Sequence, residues 1–238
     1  MNKPSNIGIV CAHPREMRAV SSVLKNASLE RFSLFKGYTG MLEGSPSVVI
    51  GSGMGGDSSY LATKQIIPLF QPGLIVDFGV AAGLRSDLHP GDVIAAEKVV
   101  DLSYFLRAWK EEDPFFSLSP SLPGKLELEE IPMAEESMKL LREIEGLISG
   151  VIGSADFTLQ NSMVREELAR RGIDAFDNET FSVVGAASEA GISCISVRAI
   201  SDLGCENALE EFQQNFKAAI KNALDCLRKI SLTPANSP

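Results

Sequence analysis

Histidine and tryptophan are nearly missing from this chain, with two His and one Trp in 238 residues. The four cysteines (Cys11, Cys194, Cys205, Cys226) stand far apart and form no CxxC pair. That composition excludes a Cys/His zinc cage and a disulfide framework, so no metal is expected. Reduced thiols in a cytoplasmic protein are the simplest reading. No apolar run reaches the roughly 18–20 residues that span a bilayer, so no membrane partner is expected. The opening residues MNKPSN lack the apolar core of a secretory signal. Basic charge is in deficit: 22 Lys+Arg against 31 Asp+Glu leave 22 − 31 = −9. A general nucleic-acid binder would carry the opposite balance. Internal repeats and low-complexity tracts are also missing.

What is present is ordinary for a globular α/β protein, 45% hydrophobic and 22% charged. The length suits one large domain or two small ones. Short β-branched runs alternate with longer helical patterns. Asn6 to Cys11 reads as a first buried strand, and Pro14 then opens a helix with Met17, Val20 and Leu24 on one face. Turn signals at Gly37, Gly40 and Ser45-Pro46 predict hairpin-like strands between Phe32 and Ile50. A helix is expected from about Ser58 to Phe70, and buried strands at Leu74 to Phe78 and Asp92 to Ala96. Residues 101–131 are irregular, aromatic-rich from Asp101 to Trp109 and then broken by Pro114, Pro120 and Pro123. This reads as an excursion from a single domain. Helices are expected near 134–145 and 162–171, with a strand from Gly150 to Ser154 between them. Another helix follows Glu179, and Ile195 to Ile200 is the last strand. Leu209, Phe212, Phe216, Ile220, Leu224 and Leu227 recur at helical spacing in a closing helix. Residues 231–238 read as a flexible tail.

Two motifs compete for the chemistry. Gly51-Ser52-Gly53-Met54-Gly55-Gly56 matches GxGxxG between a strand and a helix, and Asp77 ends the next strand where a ribose-binding acid would stand. A NAD-dependent dehydrogenase is therefore one reading. Against it, the motif does not open the fold, and Asp57 at the helix start would oppose a pyrophosphate. The second motif is a set of acids, Glu16, Glu179 and Asp202, each where a strand gives way to a loop or helix. Ligands of open α/β sheets collect at such places. Singly, each acid is an ordinary helix-start charge or cap.

At these residues the chain resembles the nucleoside phosphorylase superfamily, in the branch containing 5′-methylthioadenosine/S-adenosylhomocysteine nucleosidase. The anchors are Ile7-Gly8-Ile9 with Glu16, Gly51 to Gly55, Gly79 to Leu84 with Pro90-Gly91-Asp92, and Gly153-Ser154-Ala155-Asp156. Asn178-Glu179 and Val197-Arg198-Ala199-Ile200-Ser201-Asp202 complete the set. The resemblance implies a single α/β domain over residues 1–230. Its form would be a three-layer sandwich whose mixed, partly barrel-like central sheet is flanked by helices. It also implies a homodimer in which residues 101–109 lie near the partner's pocket.

The implied reaction is hydrolysis of the N-glycosidic bond of a 5′-substituted adenosine, with no cofactor. Asp202 would protonate the purine at N7, which requires burial to raise its pKa. Glu179 would accept hydrogen bonds from the ribose hydroxyls and stabilise positive charge on the sugar. Glu16 would deprotonate a water, and Arg198 would pair with these carboxylates and orient that water. The resemblance places Val80, Ala81, Gly83, Ser201, Asn178, Thr158 and Leu159 around the nucleoside, with Phe157 as a base-stacking candidate. His13 stands where the family has a methionine lining the 5′ pocket. It is read either as a polar contact to the 5′ group or as a hydrogen-bonded loop residue. Phosphorylase members carry an arginine before the Gly79 block and a hydroxyl within it. Asp77 and Val80 stand there here, which favours water over phosphate. Four alternatives stay open at this point: a phosphorylase, a nucleosidase for another nucleoside such as adenosylhopane, a non-catalytic nucleoside-binding protein, and the NAD-dependent dehydrogenase.

Overall fold

A computed structural model of the chain describes residues 6–109 and 128–232. Pro114, Pro120 and Pro123 lie outside the described residues. The first strand, β1 (Ile7–Cys11), is buried along its whole length, as an all-apolar run in a central parallel strand must be. Helix α1 (Pro14–Ser21) starts at its proline with His13 as N-cap. Three antiparallel strands follow, β2 (Lys25–Phe32), β3 (Phe35–Leu42) and β4 (Ser45–Gly51). Strand β2 is exposed at every position but the last, so its sequence carries no apolar alternation to announce it. The expected hairpin region therefore begins seven residues earlier than Phe32.

The chain continues through α2 (Gly56–Phe70), β5 (Leu74–Gly83), β6 (Val93–Asp101) and α3 (Ser103–Trp109). Beyond the undescribed segment come β7 (Glu130–Pro132), α4 (Glu135–Arg142), β8 (Ile148–Ser154) and α5 (Ser162–Arg170). The last elements are β9 (Ala175–Asp177), α6 (Thr180–Glu189), β10 (Ser193–Asp202) and α7 (Ala208–Leu232). Helix α7 runs further than expected. Ser231 is buried and bonds to Leu227 O at 2.9 Å, so this residue belongs to the helix and not to a tail.

The strands form one mixed sheet. Five of them close on themselves, β5 to β10, β10 to β6, β6 to β8, β8 to β9 and β9 back to β5, which makes the barrel-like part. From β5 the sheet extends through β1, β4, β3 and β2. Helices α2 and α6 pack on each other, α6 also lies against β8 and β10, and α7 packs on β10 and β5. The main core runs through Ile9, Val49, Val76 and Val197. A second core gathers Leu102, Phe105, Leu106, Val164 and Leu168. Leu102, Phe105 and Leu106 of segment 101–109 are thus core, with Arg171 Cζ 4.8 Å from the Phe105 ring, while Tyr104 is exposed. Strands β1, β4, β5 and β10 run parallel, so their carboxyl ends meet at one edge. Among the described residues no helix is long and apolar enough to cross a membrane.

Candidate active site

The carboxyl ends of β1, β5 and β10 border a cavity of about 380 Å³. Glu16, Glu179 and Asp202, which span 202 − 16 = 186 positions of the sequence, all line it. So do His13, Val80, Ala81, Phe157, Thr158, Leu159, Asn178 and Ser201. Two of the expected residues do not. Gly83 is packed inside β5, where a β-carbon would stand 3.0 Å from Ile200. Arg198 lies beneath the cavity floor, 1% exposed.

Glu16 is held from both sides. Its Oε2 accepts the His13 backbone N–H at 2.8 Å and its Oε1 accepts the Val80 N–H at 3.1 Å. The first bond is one half of a capping box, in which His13 caps α1 and Glu16 reaches back. Val80 therefore serves the site through its backbone. Burial pushes the Glu16 carboxyl up to about 7, with the Arg198 charge opposing. Next to it, Gly79 must lack a side chain. A β-carbon there would sit 2.2 Å from Arg198 Nη1 and 2.7 Å from Glu16 Oε1.

Glu179 Oε1 accepts the Gly55 N–H at 2.9 Å, and Asp156 Oδ1 accepts the Gly56 N–H at 2.8 Å. The start of α2, where a dinucleotide phosphate would bind, is thus occupied by two carboxylates of the chain itself. Gly55 has φ 102°, which lets its N–H face Glu179. The glycine motif is a carboxylate cradle, and the dehydrogenase reading has no place for its pyrophosphate. Burial, reinforced by the Asp177 charge, raises Glu179 to about 8.

Asp202 ends β10 just past an irregularity in its pairing with β5. Ser201 Oγ donates to its Oδ2 at 2.8 Å and the Gly204 N–H to its Oδ1 at 3.0 Å. Both bonds favour the anion, yet burial outweighs them and raises its pKa. Asn178 has a structural task. Its Nδ2 donates to Ala155 O at 2.8 Å and Phe157 O at 3.0 Å, which pins the loop carrying Phe157, Thr158 and Leu159. His13 accepts the Arg15 N–H through Nδ1, which assigns the ring proton to Nε2. Burial, helped by Arg15 and Arg18, lowers its pKa and keeps the ring neutral. The ring packs against Phe212 and Phe216 of α7.

Sequence reasoning missed a buried network behind the cavity. Arg198 Nη2 lies 2.7 Å from Asp77 Oδ1 and 2.8 Å from Asp177 Oδ2, but 4.0 Å from Glu179 Oε2. Thr180 bonds to Asp77 and Asp177, and Ser196 to Asp77. Asp77 is therefore not a ribose or phosphate contact, because it is 1% exposed and does not line the cavity. The signal was available: Asp77 and Arg198 are single charges inside otherwise apolar strands, and buried charges need partners. Also missed were Met54, Phe176, Leu209 and Phe212 on the cavity wall. Among the described residues, no cluster of His, Cys, Asp and Glu is arranged to hold a metal ion.

With this geometry in view, the profile of the phosphorylase superfamily matches residues 6–231. The chain belongs to the phosphorylase superfamily. Within the superfamily it is similar to the 5′-methylthioadenosine/S-adenosylhomocysteine nucleosidase of Halalkalibacterium halodurans, 27% identical over 236 residues, covering 95% of this chain and 97% of that one. The enzyme of that name from a Geobacillus species is 24% identical over 197 residues, covering 81% and 83%. Among solved structures, the Neisseria meningitidis nucleosidase in complex with methylthio-immucillin-A superposes with TM-score 0.78 at 23% identity, covering 95% and 98%. The Helicobacter pylori futalosine hydrolase does so with TM-score 0.79 at 22% identity, covering 95% and 97%. These two likenesses establish the superfamily fold.

Proposed function

We propose that this protein is a nucleosidase, which hydrolyses the N-glycosidic bond of a 5′-substituted adenosine to free adenine and a 5′-substituted ribose. The observation that carries this reading is the charge of the cavity wall. It holds Glu16, Asp177, Glu179 and Asp202, and no Lys or Arg among the described residues. A phosphate nucleophile brings negative charge, which this wall repels and no cationic side chain on it offsets. The nearby guanidinium is already engaged by Asp77 and Asp177. Water needs only a base. The relatives named nucleosidases support the same direction.

The chemistry follows from where charge develops. As the bond stretches, the sugar gains positive charge and the purine negative charge. Asp202 gives its proton to N7, so adenine leaves neutral. Glu179 accepts from the ribose hydroxyls and faces the developing cation with a carboxylate fixed by the Gly55 N–H. Glu16 takes the proton of the attacking water while two backbone N–H groups hold its oxygens in place. Phe157 and Leu159 flank the base, and His13 presents Nε2–H near Phe212 at the outer wall. We further place the protein in the cytoplasm, a reading supported by four free thiols, and as a homodimer, the arrangement that the family resemblance implies.

The test is free adenine release from 5′-methylthioadenosine, S-adenosylhomocysteine, 5′-deoxyadenosine and adenosine, each with and without phosphate. Equal release in both conditions, with a free 5′-substituted ribose as co-product, is expected. Phosphate-dependent release yielding a ribose 1-phosphate overturns the hydrolase assignment. Binding of these nucleosides without cleavage would mark a binding protein instead.

A further inference from the structure

The close contacts of Arg198 go to aspartates, while its Nη1 faces Glu16 across Gly79 without pairing with it. Its Nη2 lies 2.7 and 2.9 Å from the two oxygens of Asp77 and 2.8 Å from Asp177. Its Nε donates to Thr180 Oγ1 at 3.1 Å. The closest approach to Glu179 is 4.0 Å, and no ion pair joins Arg198 to Glu16 among the described residues. Asp77 is itself locked. It pairs across the β5–β10 ladder with Ser196, whose hydroxyl donates to its Oδ2 at 2.7 Å, and Thr180 donates to the same oxygen at 2.8 Å. Asp77 is also the one carboxylate of this group that does not line the cavity.

Glu16, Asp77, Asp177 and Glu179 thus share a single guanidinium in a buried site. Four like charges around one cation cannot all ionise in a low dielectric. The two aspartates in contact with Arg198 take up its charge, and the two glutamates go short. We propose that Asp77 is a positioning residue for the reaction: with Asp177 it holds the ion pairs of Arg198, leaves Glu16 without one, and thereby governs the protonation of the catalytic base. The inference rests on Glu16 being the base of the hydrolysis proposed above. The titratable or charged groups that face Glu16 are Cys11 at the end of β1, neutral His13 at its own helix start, Asp77 on β5, Glu179 before α6 and Arg198 on β10. Asp177 on β9 acts through Arg198 and Glu179. Removing the charge of Asp77 deletes one repulsive partner of Glu16 and releases its attractive one, so both effects favour ionised Glu16.

The experiment titrates Glu16 in the unliganded protein. Carboxyl-¹³C-labelled glutamate reports each side chain, and the resonance lost in Glu16→Gln assigns this one. In the wild type its midpoint is expected near 7, as burial dictates. In Asp77→Asn, an isosteric change whose amide Thr180 and Ser196 can satisfy by rotating their hydroxyls, it falls by about one unit. Asp77→Ser, which also removes the charge, moves it the same way. The acidic limb of kcat/KM shifts with it, giving about tenfold more activity well below the limb. A wild-type midpoint in the ordinary glutamate range overturns the proposal, and so does a midpoint that stays or rises when the Asp77 charge is removed. Lack of adenine release would instead overturn the nucleosidase reading, and the carboxyl titration would still decide the role of Asp77.

Discussion

A carboxyl group that protonates a purine must keep its proton until the glycosidic bond stretches. Asp202 is suited to this because burial raises its pKa although Ser201 and Gly204 both donate to its oxygens. The same donors fix the rotamer, so an isosteric amide can occupy the place without disturbing its neighbours. Asp202→Asn keeps the shape and loses the transferable proton. General acids contribute roughly 10²–10⁴-fold, and a loss of kcat in that range is expected with nucleoside affinity largely retained. Single-turnover adenine release together with calorimetric binding measures the two separately. Full activity in this variant would remove Asp202 as the acid. The roles of Glu16 and Glu179 divide along similar lines. Backbone N–H groups hold both oxygens of Glu16 and one oxygen of Glu179, so their positions are fixed and their chemistry turns on charge.

At the scale of elements, the cavity is assembled by short connections that hold one another. The loop after β8 carries Phe157, Thr158 and Leu159, and three separate ties fix it. Asn178 holds its backbone at residues 155 and 157, Asp156 caps α2, and Asn161 N–H donates to Gly204 O at 3.1 Å. Asn178→Ala removes two hydrogen bonds without touching an acid. At about 1 kcal/mol for each bond lost, the loop loosens and the base site becomes less ordered. A fall in kcat/KM of roughly tenfold or more, carried mainly by KM, is expected from steady-state kinetics on the preferred nucleoside. A drop confined to kcat would instead mean that Asn178 acts on the reacting atoms.

Legibility in the sequence divides by element in the same way. Strands β1, β5 and β10 were readable because they are buried apolar runs, and α7 because its stripe has one face to cover. Strand β2 was not, since nearly all its side chains face solvent. The acids could be found because they stand at strand ends, whereas the lone charges Asp77 and Arg198 signal only that partners exist and not which residues they are. Pairing of Asp77 with Ser196 is a matter of register between strands about 120 residues apart, which no local pattern encodes. The glycine motif is ambiguous in the sequence because one backbone geometry serves any carboxylate or phosphate at a helix start, and only the position of Glu179 and Asp156 decides which.

For the whole molecule, the crowded acids make stability a function of pH in an unusual sense. Glu16 and Glu179 are raised from 4.5 to about 7 and about 8 by burial. Below about pH 4.5 the folded and unfolded chains both hold these protons, and the pair has no effect. Between pH 4.5 and 8 the folded chain still binds them and the unfolded chain does not, so folding stability falls as pH rises. Above about 8 both states have lost them, and the full cost remains. Exposed carboxylates act in the opposite direction at lower pH. Asp87, Glu189 and Glu206 are held below their ordinary range by hydrogen bonds from Arg85, Tyr60 and Ser162, so their contribution is lost on acidification below about pH 4. The net acidity of −9 adds mutual repulsion as the remaining carboxyls ionise. The stability maximum is therefore expected on the acidic side of neutrality, below the pH at which the base Glu16 becomes competent. Activity and stability are set against each other by the same two protons. Glu179→Gln keeps an acceptor for the Gly55 N–H and removes a costly buried charge. It should abolish turnover and yet stabilise the unliganded protein at pH 8.5 by on the order of 1–3 kcal/mol, or about 2–4 °C in Tm per kcal/mol. At pH 4.5 the two proteins should melt together. Thermal unfolding of wild type and variant across pH 4.5–8.5 measures this directly. A variant less stable than wild type at pH 8.5 would show that the ionised Glu179 is well paired in the folded chain, contrary to the buried-charge cost argued for the cluster.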